Sequence, residues 1–124
     1  MSTQVLIIED DEDLRSMVQE ILENEGLTVR GFHDGRSALD DMKRISLPDI
    51  LIIDLKLPDM DPLQLKQEFS TLPGSEKVSL VVASGNAQVE DWAQKLGAVT
   101  VLKKPFDMEI LSLTVLSIVD SRQK

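Results

Sequence analysis

Cysteine is absent from the 124 residues, which removes disulfides, thiolate catalysis and cysteine zinc sites. Histidine occurs once, as His33, and a single imidazole cannot build a histidine metal cluster. No apolar run approaches the length that crosses a bilayer, and the N-terminus lacks the basic-then-apolar pattern of a secretory signal. Basic residues are scarce: 13 against 22 acidic give a formal net charge of −9. That balance argues against direct nucleic-acid binding, which needs basic surface to neutralise phosphates. The expectation is an acidic protein of the cytoplasm, with no membrane association. With 42% apolar and 28% charged residues the composition is that of a globular domain. The length suits one domain with a sizeable core.

What is present is a repeated pattern. Residues 5–8 are apolar and run into Glu9-Asp10-Asp11, and residues 50–53 run into Asp54. Residues 79–83 deliver Ser84, and residues 99–102 deliver Lys103-Lys104-Pro105. Four buried-strand patterns thus end on polar residues. If the strands are parallel in one sheet, acids, a hydroxyl and an ammonium share one edge. Such a site suits a divalent cation and a phosphoryl group. The five acids from Glu9 to Asp13 have an ordinary reading too, since carboxylates complement the dipole at a helix start. Their place directly after a strand pattern favours the cation.

Between these strands the periodicity is helical. Leu14, Met17, Val18, Ile21 and Leu22 share a face, and Gly26 marks the end of that helix. Residues 27–32 read as an edge-like second strand, and residues 35–45 as a helix presenting Ala38, Leu39 and Met42. A third helix begins near Pro62, where proline suits the first turn, with Leu63, Leu65, Phe69 and Leu72 as its apolar positions. Pro73-Gly74 marks a turn. Residues 78–83 form strand four, 87–96 helix four, 99–102 strand five and 107–120 the last helix. Five βα units with right-handed crossovers give an α/β fold, a five-stranded parallel sheet with helices on both faces. Ligands of such sheets bind at the carboxyl ends of the strands, near the switch in strand order.

Ile7-Ile8-Glu9-Asp10-Asp11, Asp54-Leu-Lys-Leu-Pro-Asp-Met60, Ala83-Ser84-Gly85 and Lys104-Pro105-Phe106 follow one another in order, each closing its strand. In this the whole chain resembles the receiver domain of two-component response regulators. The resemblance implies the flavodoxin-like, doubly wound (βα)5 fold, with residues 1–124 as a single receiver domain and no effector domain. It implies that Asp54 is the phosphoacceptor, a carboxylate nucleophile forming an acyl phosphate. Asp10, Asp54 and the backbone carbonyl of Lys56 would ligate Mg²⁺ directly, and Glu9 would hold it through water. Ser84 would hydrogen-bond the phosphoryl group and Lys104 would pair with it. A cis peptide bond before Pro105 is implied as well. Lys103 points to the opposite face of the strand and reads as a solvated charge.

Other roles stay open for single residues. Ser84 could cap the helix that follows, Lys104 could be an ordinary strand-end ammonium, and Asp54 a turn former. Asp59 and Asp61 read as turn residues, and Asp11 as a helix-start acid. Two positions depart from the family pattern. Val101 stands where an aromatic is usual, three residues before the lysine, which leaves output coupling open. Pro62 stands where a glycine is common and stiffens the entry to helix three. Lys56 and Asn86 lie two residues beyond Asp54 and Ser84, where side chains govern water access to the acyl phosphate.

The resemblance implies a signalling switch that assists only its own phosphorylation and dephosphorylation. Its partners would be a sensor histidine kinase or phosphotransfer protein and a downstream protein. The last helix carries apolar residues beyond one stripe, from Met108 to Val119. They suit either a wide stripe beneath loops or a partner surface, with Trp92, for a homodimer through the helix 4–strand 5–helix 5 face. Two rival functions remain. One is a degenerate receiver that binds partners without phosphorylation. The other is an aspartyl-nucleophile phosphohydrolase, which commonly has a second aspartate two residues after the first, where this chain has Lys56.

Overall fold

The computed structural model describes residues 2–123. Elements alternate as β1 (Gln4–Ile8), α1 (Glu12–Asn24), β2 (Thr28–Phe32), α2 (Gly35–Arg44), β3 (Ile50–Asp54) and α3 (Pro62–Ser70). A short 3₁₀ turn (Ser75–Lys77) then leads to β4 (Ser79–Ser84), α4 (Val89–Leu96), β5 (Thr100–Lys103) and α5 (Met108–Arg122). All strand pairs are parallel, in the order β2-β1-β3-β4-β5. The expected doubly wound sheet is therefore observed, with β2 as an edge strand.

Strand alternation sorts the core into two layers. Leu6, Ile8, Leu51, Ile53, Leu80 and Val82 pack with Ala38, Leu39 and Met42 of α2, Leu65 and Phe69 of α3, and Leu96 of α4. Val5, Ile7, Ile50, Ile52, Val81 and Leu102 pack with Val18 and Leu22 of α1 and Leu111 and Val115 of α5. Because both faces are covered, the central strands are continuous apolar runs. Truncating a fully buried member such as Leu39 removes packing worth about 3 kcal/mol.

Carboxylates start four of the helices. Asp11, Asp34, Asp61 and Asp107 accept from the backbone N–H of Leu14, Ser37, Gln64 and Ile110, relieving donors that the helix leaves unpaired. Asp11 is thus the helix-start acid that the sequence suggests, whereas Asp61, expected as a turn residue, starts α3. At the end of α1, Gly26 adopts φ +88 while Leu27 N–H reaches back to the Leu22 carbonyl, a closure that favours glycine.

Some boundaries differ from expectation. Helix four starts at Val89 instead of residue 87, and its N-cap, Gln88, makes no side-chain capping bond. The 3₁₀ turn follows Pro73-Gly74 with Gly74 at φ +89, where the sequence gives only a turn. Leu63 is exposed, so the buried stripe of α3 rests on Leu65 and Phe69. In α5 only Leu111 and Val115 are buried, while Met108, Ile110 and Leu113 are 60%, 49% and 59% exposed. Trp92 is half-buried against the α2–α4 layer, with Lys95 Nζ 5.1 Å from its ring centre. No helix of the described residues is long and apolar enough to cross a membrane.

Candidate functional site

Strand order decides what meets. β1 sends its chain to β2 on one side, while β3 lies on its other side, so the switch point falls between the ends of β1 and β3. Ile8 is in register with Ile53. The next residues, Glu9 and Asp54, therefore emerge side by side. By alternation both share the face of Ile7 and Ile52, above an apolar floor that includes Phe106 and Leu111. Glu9 is 3% exposed and Asp54 6%, whereas Asp10 is open to solvent.

Lys104 closes the group. Its Nζ donates to Glu9 Oε1 at 2.6 Å and to Asp54 Oδ2 at 3.1 Å. Its backbone N–H donates to the Ser84 carbonyl at 3.0 Å, and the Lys104–Pro105 peptide is cis. Lys103 instead points outward and pairs with Glu90 at 2.8 Å. Of the two lysines, Lys104 is the one that contacts Glu9 and Asp54.

Backbone donors complete the cradle. Asp54 Oδ1 accepts from Lys56 N–H at 3.1 Å, and Glu9 Oε2 accepts from Asp11 N–H at 3.3 Å. Ser84, 2% exposed, accepts from Asn86 N–H at 3.0 Å through its Oγ. It does not cap α4, and its hydroxyl proton remains available to an incoming acceptor.

Burial pushes the Glu9 carboxyl above the usual carboxylate range; the Lys104 hydrogen bond opposes this and repulsion from Asp54 adds to it. For Lys104, burial pulls the amine down, but the bonds to Glu9 and Asp54 outweigh it and hold the group above an ordinary lysine. The ammonium is therefore fully charged at neutral pH. Glu9 and Asp54 share this one ammonium and Asp10 lies beside them, so acids outnumber the amine at the site.

The donor set fits a hard dication. One carboxylate oxygen each from Glu9, Asp10 and Asp54 lie within 4.8 Å of one another. Magnesium takes oxygen ligands, needs only one or two carboxylates, and keeps several waters. Asp10 is exposed, so the carboxylate group is open to solvent on that side.

Two further residues support the site. Arg15, on α1, donates from Nη1 to the Glu9 carbonyl at 2.7 Å. Its stem crosses β2 at Gly31, where an added Cβ would lie 3.2 Å from Arg15 Cδ. Asp59 accepts from Gly35 N–H at 3.0 Å and Arg36 N–H at 2.8 Å, so it is more than a turn residue. Neither shows a sequence signal distinct from a solvated charge. Val101 is partly buried against the α2–α4 layer.

The response regulator receiver domain family matches residues 5–116. Sporulation initiation phosphotransferase F of Bacillus subtilis (strain 168) is 28% identical over 109 residues, covering 88% of this chain and 87% of that protein. The DNA-binding transcriptional regulator NtrC of Proteus hauseri is 30% identical over 97% of this chain, which spans only 25% of that protein's length. Among solved structures, a putative response regulator from Chloroflexus aurantiacus J-10-fl superposes with a TM-score of 0.86 at 28% identity, covering 97% of this chain and 99% of that one. From the match over nearly its whole length, and from the acids and lysine its strand ends bring together, the chain belongs to the response regulator receiver domain family of two-component signalling.

Proposed function

We propose that this receiver takes a phosphoryl group onto Asp54 from a sensor histidine kinase or phosphotransfer protein, in an Mg²⁺-dependent reaction. The observation that carries the reading is Asp54 held 3.1 Å from the Lys104 ammonium, with Glu9 and Asp10 oxygens within 4.8 Å.

A carboxylate oxygen of Asp54 attacks phosphorus. The new P–O bond forms as the P–N bond to the donor histidine breaks, leaving an acyl phosphate on Asp54 and a neutral imidazole after proton uptake. The incoming group is anionic, and two unit charges about 4 Å apart at an effective dielectric near 20 repel by about 4 kcal/mol. Lys104 offsets that repulsion by pairing with a phosphoryl oxygen, and Ser84 donates its hydroxyl proton to another. Asp10, Asp54 and the Lys56 carbonyl would hold Mg²⁺, with Glu9 acting through water. The ion, when bound, spreads positive charge over the phosphoryl oxygens as negative charge builds on them.

Phosphorylation then alters which partner the domain engages, a downstream protein or a second copy, in a cytoplasmic setting. The exposed Met108, Ile110 and Leu113 on α5, with Val99 before β5, support the helix 4–strand 5–helix 5 face as the place of self-association. Chain 1–124 acts in this reading as one signalling domain, not as a turnover enzyme.

Incubation with acetyl phosphate or phosphoramidate and Mg²⁺, followed by intact mass, tests the proposal. The wild-type chain gains one phosphate; Asp54→Asn gains none, and neither does the wild type in EDTA. Uptake by Asp54→Asn equal to wild type would overturn the assignment.

A further inference from the structure

The loop that follows Asp54 is docked, at its middle, onto the start of α2, a helix whose own residues belong to none of the four signature motifs. Residues 55–61 leave β3 and enter α3. Lys56 N–H is tied to Asp54 at the near end, and Asp61 caps α3 at the far end. Between them the Asp59 carboxylate spans two successive backbone donors of α2, Oδ1 taking Gly35 N–H and Oδ2 taking Arg36 N–H. Charge-assisted bonds of this kind are about twice as strong as neutral ones. They satisfy the two donors that the helix's own cap leaves free, since Asp34 takes only Ser37 N–H.

Met60 adds a packing contact at the same point. It is buried in the α2–α4 layer, and its thioether lies where a side chain on Gly35 would stand. A Cβ there would fall 2.8 Å from Met60 Sδ. Gly35 therefore lets the loop approach the helix backbone closely. Beyond the loop, Arg36 and Glu68 join α2 to α3 at 2.9 Å.

We infer that Asp59 is a positioning residue for the metal site: by stapling the 55–61 loop to the N-terminus of α2, it holds the Lys56 carbonyl where a divalent cation bound at Glu9, Asp10 and Asp54 can use it. The inference rests on the Mg²⁺ reading proposed above. Groups one shell out from metal ligands commonly change affinity by about tenfold or more. A backbone carbonyl on a loop depends on such support more than a carboxylate on a strand end does.

The test separates positioning from helix capping. Asp59→Ala and Asp34→Ala each remove one negative charge and an α2 capping group, but only Asp59→Ala frees the loop. Mg²⁺ affinity is measured by isothermal titration calorimetry, and the Mg²⁺ dependence of phosphorylation by phosphoramidate is followed in parallel. Asp59→Ala weakens Mg²⁺ binding roughly tenfold and raises the Mg²⁺ concentration for half-maximal rate by the same factor. Its rate at saturating Mg²⁺ stays close to that of wild type. Asp34→Ala lowers thermal stability in EDTA and leaves Mg²⁺ affinity unchanged. Wild-type affinity in Asp59→Ala, or an equal loss in Asp34→Ala, overturns the positioning role while leaving the phosphoacceptor reading intact. A wild-type chain that binds no Mg²⁺ and takes no phosphate overturns both.

Discussion

Lys104 Nζ donates to Glu9 Oε1 across 2.6 Å, joining side chains 95 positions apart in the chain. Glu9 is nearly sealed from water and shares its site with Asp54, so its charge is costly to maintain. The ammonium offsets that cost and stays within 3.1 Å of the proposed phosphoacceptor. One side chain therefore supports the resting fold and stands ready to receive a phosphoryl group. Removing one member of a buried pair strands the other's charge. Lys104→Met is expected to destabilise the metal-free protein by about 1–3 kcal/mol, read from urea unfolding in EDTA, and to slow phosphate uptake strongly. An unchanged urea midpoint would show that the ammonium gives the resting fold no support.

The same pair sets an alkaline limit. The folded amine titrates above an ordinary lysine, so its contribution to stability is fully present below about pH 10.4. It disappears as pH rises through the elevated folded value. The chain has no tyrosine and no cysteine, which leaves lysines as the side chains titrating in that range. Wild-type stability should fall more steeply than that of Lys104→Met above about pH 10. Parallel curves from the two proteins in pH-resolved urea titrations would remove this role.

Excess acid at the site has a thermal signature. Mg²⁺ binding only the folded chain stabilises it by roughly 1.4 kcal/mol at ten times its Kd, so melting should shift upward by a few degrees. Asp10→Asn removes one of the converging negative charges. It is expected to melt higher than wild type in EDTA and to show little or no response to Mg²⁺. A full Mg²⁺ shift in this variant would place the ion elsewhere.

Water access controls how long an acyl phosphate persists. Lys56 is exposed beside Asp54, and Asn86 is held by its backbone bond to the Ser84 hydroxyl. Lys56→Ala and Asn86→Ala are expected to change the lifetime of phosphorylated Asp54 while leaving its formation intact. Mass spectrometry over a time course after phosphodonor removal provides the measurement. Decay at the wild-type rate in both variants would assign them no part in hydrolysis.

Three exposed apolar side chains on α5 remain without cover in the monomer, among them Leu113 at 59%. Sedimentation at micromolar concentration should reveal a dimer favoured by phosphorylation and lost in Leu113→Asp. A monomer in both phosphorylation states would argue that the face does not serve self-association.

Local pattern was enough to read most of the fold. Apolar runs of four or five residues separated by helical periodicity mark βα units, because a strand covered on both faces must be apolar throughout. The ends of elements were less legible. Val89 begins α4 later than expected because Ser84 and Asn86 use their side-chain oxygens in consecutive turns, and such turns leave only a faint trace in composition.

The sequence by itself determined the strand and helix alternation and which residue types close each strand, since both follow from short-range periodicity and steric preference. Tertiary structure decided which of them meet. Strand order set Glu9 beside Asp54, and the path of β5 turned Lys104 inward and Lys103 toward Glu90. It also brought Arg15 to the Glu9 carbonyl and Asp59 to the start of α2. These contacts join segments far apart in the chain, and their geometry depends on crossovers and packing that no local window of residues contains.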